Sequence, residues 1–141
     1  LQLGNPADAD LRSVAVRLLS AAAQTTDERA RLEVGAGLLK PAAKKPSTVE
    51  KGGKGQADRA ALAASLRAME SLLRDVAVMT TRAPDAALVN LDLRAELEPL
   101  ARHYDRGRAG RAFSAVGRSL VALERHNASP KIVVDWLALQ L

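Results

Sequence analysis

Asn127-Ala128-Ser129-Pro130, followed by Lys131-Ile132-Val133-Val134-Asp135-Trp136-Leu137-Ala138-Leu139-Gln140-Leu141, is the stretch that decides how this chain is read. Ser129 is a good N-cap residue, and Pro130 suits the first helical position, where the missing N–H costs nothing. In the helix predicted over 130–141, Ile132, Val133, Val134, Trp136, Leu137, Leu139 and Leu141 cover nearly the whole circumference. A helix apolar all round is buried on several sides. The terminal helix is therefore expected to sit centrally or to share an interface.

Outward from that helix, residues 57–141 read as a series of amphipathic helices. Ala109, Ala112, Phe113, Val116, Leu120 and Leu123 form one stripe of a helix predicted over 106–126, with Asp105 able to cap it. A shorter helix spans about 91–103 and accommodates Pro99 as a kink. Before it, Leu62, Leu66, Met69, Leu73 and Val76 repeat at three- and four-residue intervals over 58–80, widened by Leu72 and Met79. Pro84 closes that region, because proline disfavours helix at the residue before it.

The N-terminal part repeats the pattern more weakly. A first helix starts after Asp10, with Leu11, Val14, Ala15, Leu18, Leu19 and Ala22 on one stripe. Thr25 and Glu28 fit a capping box for a second helix reaching Leu38 and Leu39, with Gly35 and Gly37 weakening its end. Residues 41–56 (PAAKKPSTVEKGGKGQ) have almost nothing to bury and read as a mobile basic linker. The domain plan is then 1–40 for the first two helices, 41–56 for the linker and 57–141 for the main helical part of the same domain.

Composition supports an all-α bundle of five or six helices. At 141 residues, 48% of them hydrophobic, one domain with an ample core is expected. Ala and Leu dominate, and there is one Phe, one Trp and one Tyr, which argues against sheet. The absence of Cys removes disulfides, thiolate metal sites and cysteine nucleophiles, and suits a cytoplasmic protein. No apolar run approaches the roughly 20 residues needed to cross a bilayer, so no membrane partner is expected. The chain begins at Leu1, without a signal-peptide layout, and is expected to be a piece of a longer polypeptide.

The net charge of +5 is concentrated. Residues 40–59 hold six cations (Lys40, Lys44, Lys45, Lys51, Lys54, Arg59) against Glu50 and Asp58, a surplus of four that leaves +1 elsewhere. The basic balance thus belongs mainly to one segment and says little about a nucleic-acid groove.

Few residues invite a chemical reading. Gly52-Gly53-Lys54-Gly55 lacks the preceding Gly, the following Ser or Thr and the strand of a phosphate loop, and belongs to the linker. Arg102, Arg106, Arg108 and Arg111, with His103 and Tyr104, form the densest cationic stretch outside it. Phosphate contact with Tyr104 stacking is one use; a solvated loop and first helical turn is the plainer one. Cations near a helix start oppose the dipole, so no local stabilisation is expected from them. His103 and His126 make no zinc-type pair, and Glu96 and Glu98 point to different faces. No catalytic residue, cofactor, metal site or small-molecule substrate is expected. Arg74-Asp75, set among apolar residues at mid-helix, is either the edge of a buried face or an exposed pair worth little.

Three of these stretches together resemble the C-terminal collar domain of bacterial DNA polymerase III clamp loader subunits, delta-prime most closely. Ser71-Leu72-Leu73-Arg74-Asp75-Val76-Ala77-Val78 is similar to that family's helix with an L-L-R-D core. Val89-Asn90-Leu91-Asp92-Leu93 resembles the Asn-x-Asp opening of its next helix. Leu120 to Leu141 resembles its closing helix, Asn-x-x-Pro turn and apolar helix. The resemblance spans 58–141 and extends weakly to the first two helices. The long basic linker, the His126 segment and the Ala-rich character depart from the pattern. The resemblance implies nucleotide-binding ATPase-type domains upstream and a collar holding clamp loader subunits in a ring. DNA is then met only indirectly, through the complex, with ATP and sliding-clamp work done elsewhere. It does not separate delta-prime from gamma/tau. Arg74, Asp75, Trp136, Leu137 and Leu141 are the positions expected to touch sister subunits, with Trp136 the best anchor. The alternative is a helical nucleic-acid-binding module using Arg102–Arg118 and the Lys-rich linker.

Overall fold

Among the described residues, Leu and Ala at helical spacing build six α-helices, and no strand is present. The computed structural model describes residues 6–39 and 53–141. The helices are α1 (Pro6–Ala23), α2 (Glu28–Ala36), α3 (Gly53–Met79), α4 (Arg94–His103), α5 (Arg106–Arg125) and α6 (Pro130–Gln140). Short 3-10 turns follow α2 (Gly37–Leu39) and precede α4 (Asp85–Ala87, Leu91–Leu93).

The long α3 is the spine. It packs most extensively on α5 and also against α1 and α4, while α2 and α5 flank α6. Leu62, Leu66, Met69, Leu72, Leu73 and Val76 are all at most 2% exposed, so the stripe read along α3 is the centre of the core. Leu19, Leu97, Leu100, Tyr104, Val116, Leu123 and Leu137 close on it from the other helices.

Several boundaries differ from the sequence expectation. Pro6–Asp10 already lie in the first helix, so Asp10 sits within it and is not its cap. The cap of α2 is Asp27, not Thr25: Asp27 Oδ2 accepts from Ala30 N at 3.1 Å, while Thr25 Oγ1 accepts from Asp27 N. Most of the linker expected over 41–56 lies outside the described residues, but Gly53–Gln56 belong to α3. Phe113, read as core, is 37% exposed, and Ala115 and Ser119 are buried instead.

Other signals act as read. Asp105 caps α5, its Oδ1 accepting from Arg108 N at 2.7 Å. Pro130 opens α6, although the Ser129 side chain makes no capping bond; the Ser129 carbonyl accepts from Val133 N. Asn127 takes the left-handed conformation (φ 51°) that turns the chain from α5 into α6, which Asn tolerates better than most residues.

Candidate functional site: the open face of the terminal helix

One side of α6 is core. Val134 and Leu137 are fully buried, with Val133, Ala138 and Leu141 nearly so. That side seats against α2 so closely that a Cβ on Gly35 would lie 2.8 Å from the Ala138 Cβ. Gly35, read as a weakness at the end of a helix, is therefore the contact that lets α2 and α6 approach. The short apolar hollow between them is lined by Leu18, Val34, Met69 and Leu137, with Arg31 the only ionisable residue on its wall.

The other side of α6 is uncovered. Ile132 is 68% exposed and Leu139 42%, with the half-buried Trp136 between them at i, i+4, i+7 spacing. The expectation that α6 is apolar all round holds as a pattern, but only part of the circumference is covered within this chain. Lys131 and Asp135 pair at 2.7 Å on the same helix. From α5, the Arg118 guanidinium lies over the Trp136 ring, 5.2 Å from its centroid. A cation on an indole face is a favourable electrostatic contact.

Three of the positions expected to touch sister subunits lie inside this chain. Asp75, Leu137 and Leu141 are 0%, 0% and 4% exposed, so their side chains are occupied inside this chain and have no surface to offer. Leu137 and Leu141 fill the core. Asp75 is a polar hub: Oδ1 accepts from Arg74 Nη1 and Val89 N, and Oδ2 from Asn90 N and Asn90 Nδ2. Arg74 is exposed and also reaches the Ala87 carbonyl at 3.3 Å. Trp136 keeps part of its ring at the surface.

Asn90 extends that hub. Its amide donates to Ser71 Oγ at 2.9 Å, and its Oδ1 accepts from Arg12 of α1. Arg12 also pairs with Asp92, holding that carboxyl below the usual carboxylate range. Two of the stretches that carry the family resemblance, 71–78 and 89–93, thus interlock as one polar joint between α1, α3 and the loop before α4.

The cationic cluster is likewise divided by the fold. Tyr104 is fully buried and has no face free for a base; burial pushes its phenol pKa up. Arg108 is not idle: Nε and Nη2 donate to the Leu141 carbonyl at 3.2 and 3.1 Å, and the guanidinium lies 4.5 Å from the Tyr104 ring centroid. It fastens Leu141, the residue that caps α6, to the start of α5, which the dipole argument alone did not foresee. Arg102 sits 3.7 Å from Glu98. Arg106 and Arg111 are exposed, with no carboxylate partner among the described residues.

Arg59, counted with the linker's charge, has a structural task that its sequence context hid. Its Nη1 donates to the carbonyls of Leu123 and Ala128, both at 2.9 Å, and so ties α3 to the end of α5 and the turn into α6. Arg67 of α3 pairs with Glu124 nearby.

Among the described residues, no helix is long and apolar enough to cross a membrane, and no group of three or more metal-ligating side chains converges. No family model matches the chain, and neither a curated protein nor a solved structure shows significant similarity to it.

Proposed function

We propose that this chain is the oligomerisation (collar) domain of a bacterial DNA polymerase III clamp loader subunit of delta-prime type, acting in the cytoplasm. Its task is mechanical: it holds attached domains in register by burying a helix face against sister subunits, while catalysis resides elsewhere. The observation that carries the reading is the open stripe Ile132–Trp136–Leu139 on a helix whose opposite side is locked into the core. A rigidly seated helix with an uncovered apolar face favours association, because burying that face removes apolar surface from water without a large ordering cost. The order of the three resembling stretches along the chain supports the particular family.

The test is assembly. The chain mixed with purified clamp loader subunits of the gamma/tau and delta types should migrate with them as one complex by size-exclusion with light scattering. Trp136→Ala should weaken that complex. A chain that elutes alone beside every subunit, at concentrations where the subunits associate with one another, overturns the reading. If Trp136→Ala lowers stability but leaves assembly unchanged, Trp136 is a core residue only.

A further inference from the structure

The outward face of α5 carries Arg111, Arg118 and Arg125 at heptad intervals. Residues seven apart drift by only about 20° around a helix, so the three form one row, with a rise of roughly 10 Å between neighbours. All three are exposed, and none has a carboxylate within 4 Å among the described residues. The acids of α5, its N-cap and α6 have partners of their own: Glu124 pairs with Arg67, Asp135 with Lys131, and Asp105 accepts from Arg108 N.

This row runs beside the open stripe of α6. The two helices are antiparallel neighbours, joined by the turn at Asn127, and two contacts set their register. Arg118 stacks on Trp136, and Arg108 reaches the Leu141 carbonyl. Counting along each helix from the Arg118–Trp136 contact, Arg125 lies toward the Ile132 end and Arg111 toward the Leu139 end. The result is an apolar stripe with a parallel line of unneutralised cations along one edge.

We infer that this compound surface binds an amphipathic helix of a partner, whose apolar stripe covers Ile132, Trp136 and Leu139 and whose acidic edge meets Arg111, Arg118 and Arg125. Charge complementarity chooses the occupant. Three cations without a carboxylate partner want carboxylates or phosphates, and the adjacent exposed Ile132 and Leu139 want apolar cover. A nucleic-acid backbone satisfies the first requirement and leaves the second unmet, since such interfaces are polar and strongly charged. A helix with leucines on one face and glutamates along its edge satisfies both. The inference deepens the collar reading and rests on it for the role of the α6 face; the chemistry of the partner is new.

Trp136 is the only tryptophan in the chain, so its emission reports cover of the stripe directly. The probe is a synthetic peptide of about four helical turns, a length that matches the arginine row and overhangs the roughly two-turn stripe. It carries a leucine face and a glutamate edge; the comparisons are a scrambled peptide of the same composition, one with lysine in place of glutamate, and a short DNA duplex. The acidic peptide should produce a saturable blue shift that weakens as salt is raised. Arg118→Glu should lower its affinity by about tenfold, with smaller losses for Arg111→Glu and Arg125→Glu. Ile132→Asp, at a position too exposed to unfold the bundle, should lower it as well. Equal response to the scrambled or lysine peptide overturns the inference, as does tighter binding of the duplex that the same arginine variants abolish. If the peptide fails while the clamp loader subunits assemble, the inference falls and the collar reading stands. If the peptide binds through the arginines but no such subunit assembles, the surface is kept and the family assignment falls.

Discussion

Asp75 on α3 holds Asn90 by two hydrogen bonds to one oxygen: Oδ2 accepts from the Asn90 backbone N–H at 2.6 Å and from its side-chain amide at 2.8 Å. This buried carboxylate is the central acceptor for the loop before α4, since it also accepts from Val89 N and Arg74. Asp75→Ala leaves several buried donors without acceptors and should cost about 3 kcal/mol, since unmade bonds to charged groups are the expensive ones. Asp75→Asn should cost nearly as much, because its amide presents donors to donors. Urea denaturation checks both, and a loss below about 0.5 kcal/mol would remove Asp75 from its structural role.

Gly35 and Gly117 predict opposite outcomes for one substitution. Gly35→Ala drives a methyl into Ala138 and Val134 of α6 and should destabilise by about 2 kcal/mol through overpacking. A Cβ at Gly117, in the middle of α5, meets nothing within 4 Å, so Gly117→Ala should stabilise by about 0.5–1 kcal/mol through helix propensity. Thermal melts of the two variants should move in opposite directions.

Ser119 is buried in α5, and its Oγ has no hydrogen-bond partner among the described residues. An unsatisfied buried hydroxyl costs about 1–3 kcal/mol, and alanine fits the same space. Ser119→Ala should therefore stabilise the bundle by about 1 kcal/mol. Destabilisation on denaturant titration would reveal a partner that the hydroxyl serves.

Arg59→Met keeps most of the aliphatic length and removes the two bonds to the Leu123 and Ala128 carbonyls. A loss of about 2 kcal/mol is expected, with amide exchange accelerating first around the α5–α6 turn. Uniform acceleration over the whole chain would show that Arg59 has no local anchoring role.

Tyr104 ties stability to alkaline pH. Burial raises its folded pKa above that of the unfolded chain. Its contribution is then fully present below the unfolded tyrosine pKa of about 10, and is lost as pH rises through the higher folded value. The chain has one tyrosine, so the phenolate absorbance titrates this group alone. Ionisation should be delayed in the folded protein and coincide with unfolding, and Tyr104→Phe should reduce the alkaline sensitivity. Titration at the ordinary tyrosine pKa without unfolding contradicts the burial argument.

The helices were legible because their apolar residues recur at helical spacing, and the stripe over Leu62–Val76 needed no tertiary information to be placed in the core. Asp105 and Pro130 were legible as local signals, since capping and the proline exemption act within one turn. Phe113 was misplaced because periodicity assigns an arc of the helix and cannot say where along that arc the neighbour ends. Leu137 and Leu141, expected at an interface, are buried within this chain for a related reason. Hydrophobicity marks what must be covered, and only the packing decides whether this chain or another supplies the cover.

The amino-acid order by itself determined an all-α chain, the register of its stripes and the turn that launches the terminal helix, because each follows from backbone sterics and side-chain spacing over a few residues. Tertiary structure alone decided that Gly35 is a point of close approach, that Arg59 and Arg108 anchor distant carbonyls, and that Asp75 serves Asn90. It also decided which arc of α6 stays open beside the arginine row of α5. Those outcomes join residues tens of positions apart, and no local preference encodes which backbone group a long cation will reach or which face a neighbouring helix leaves bare.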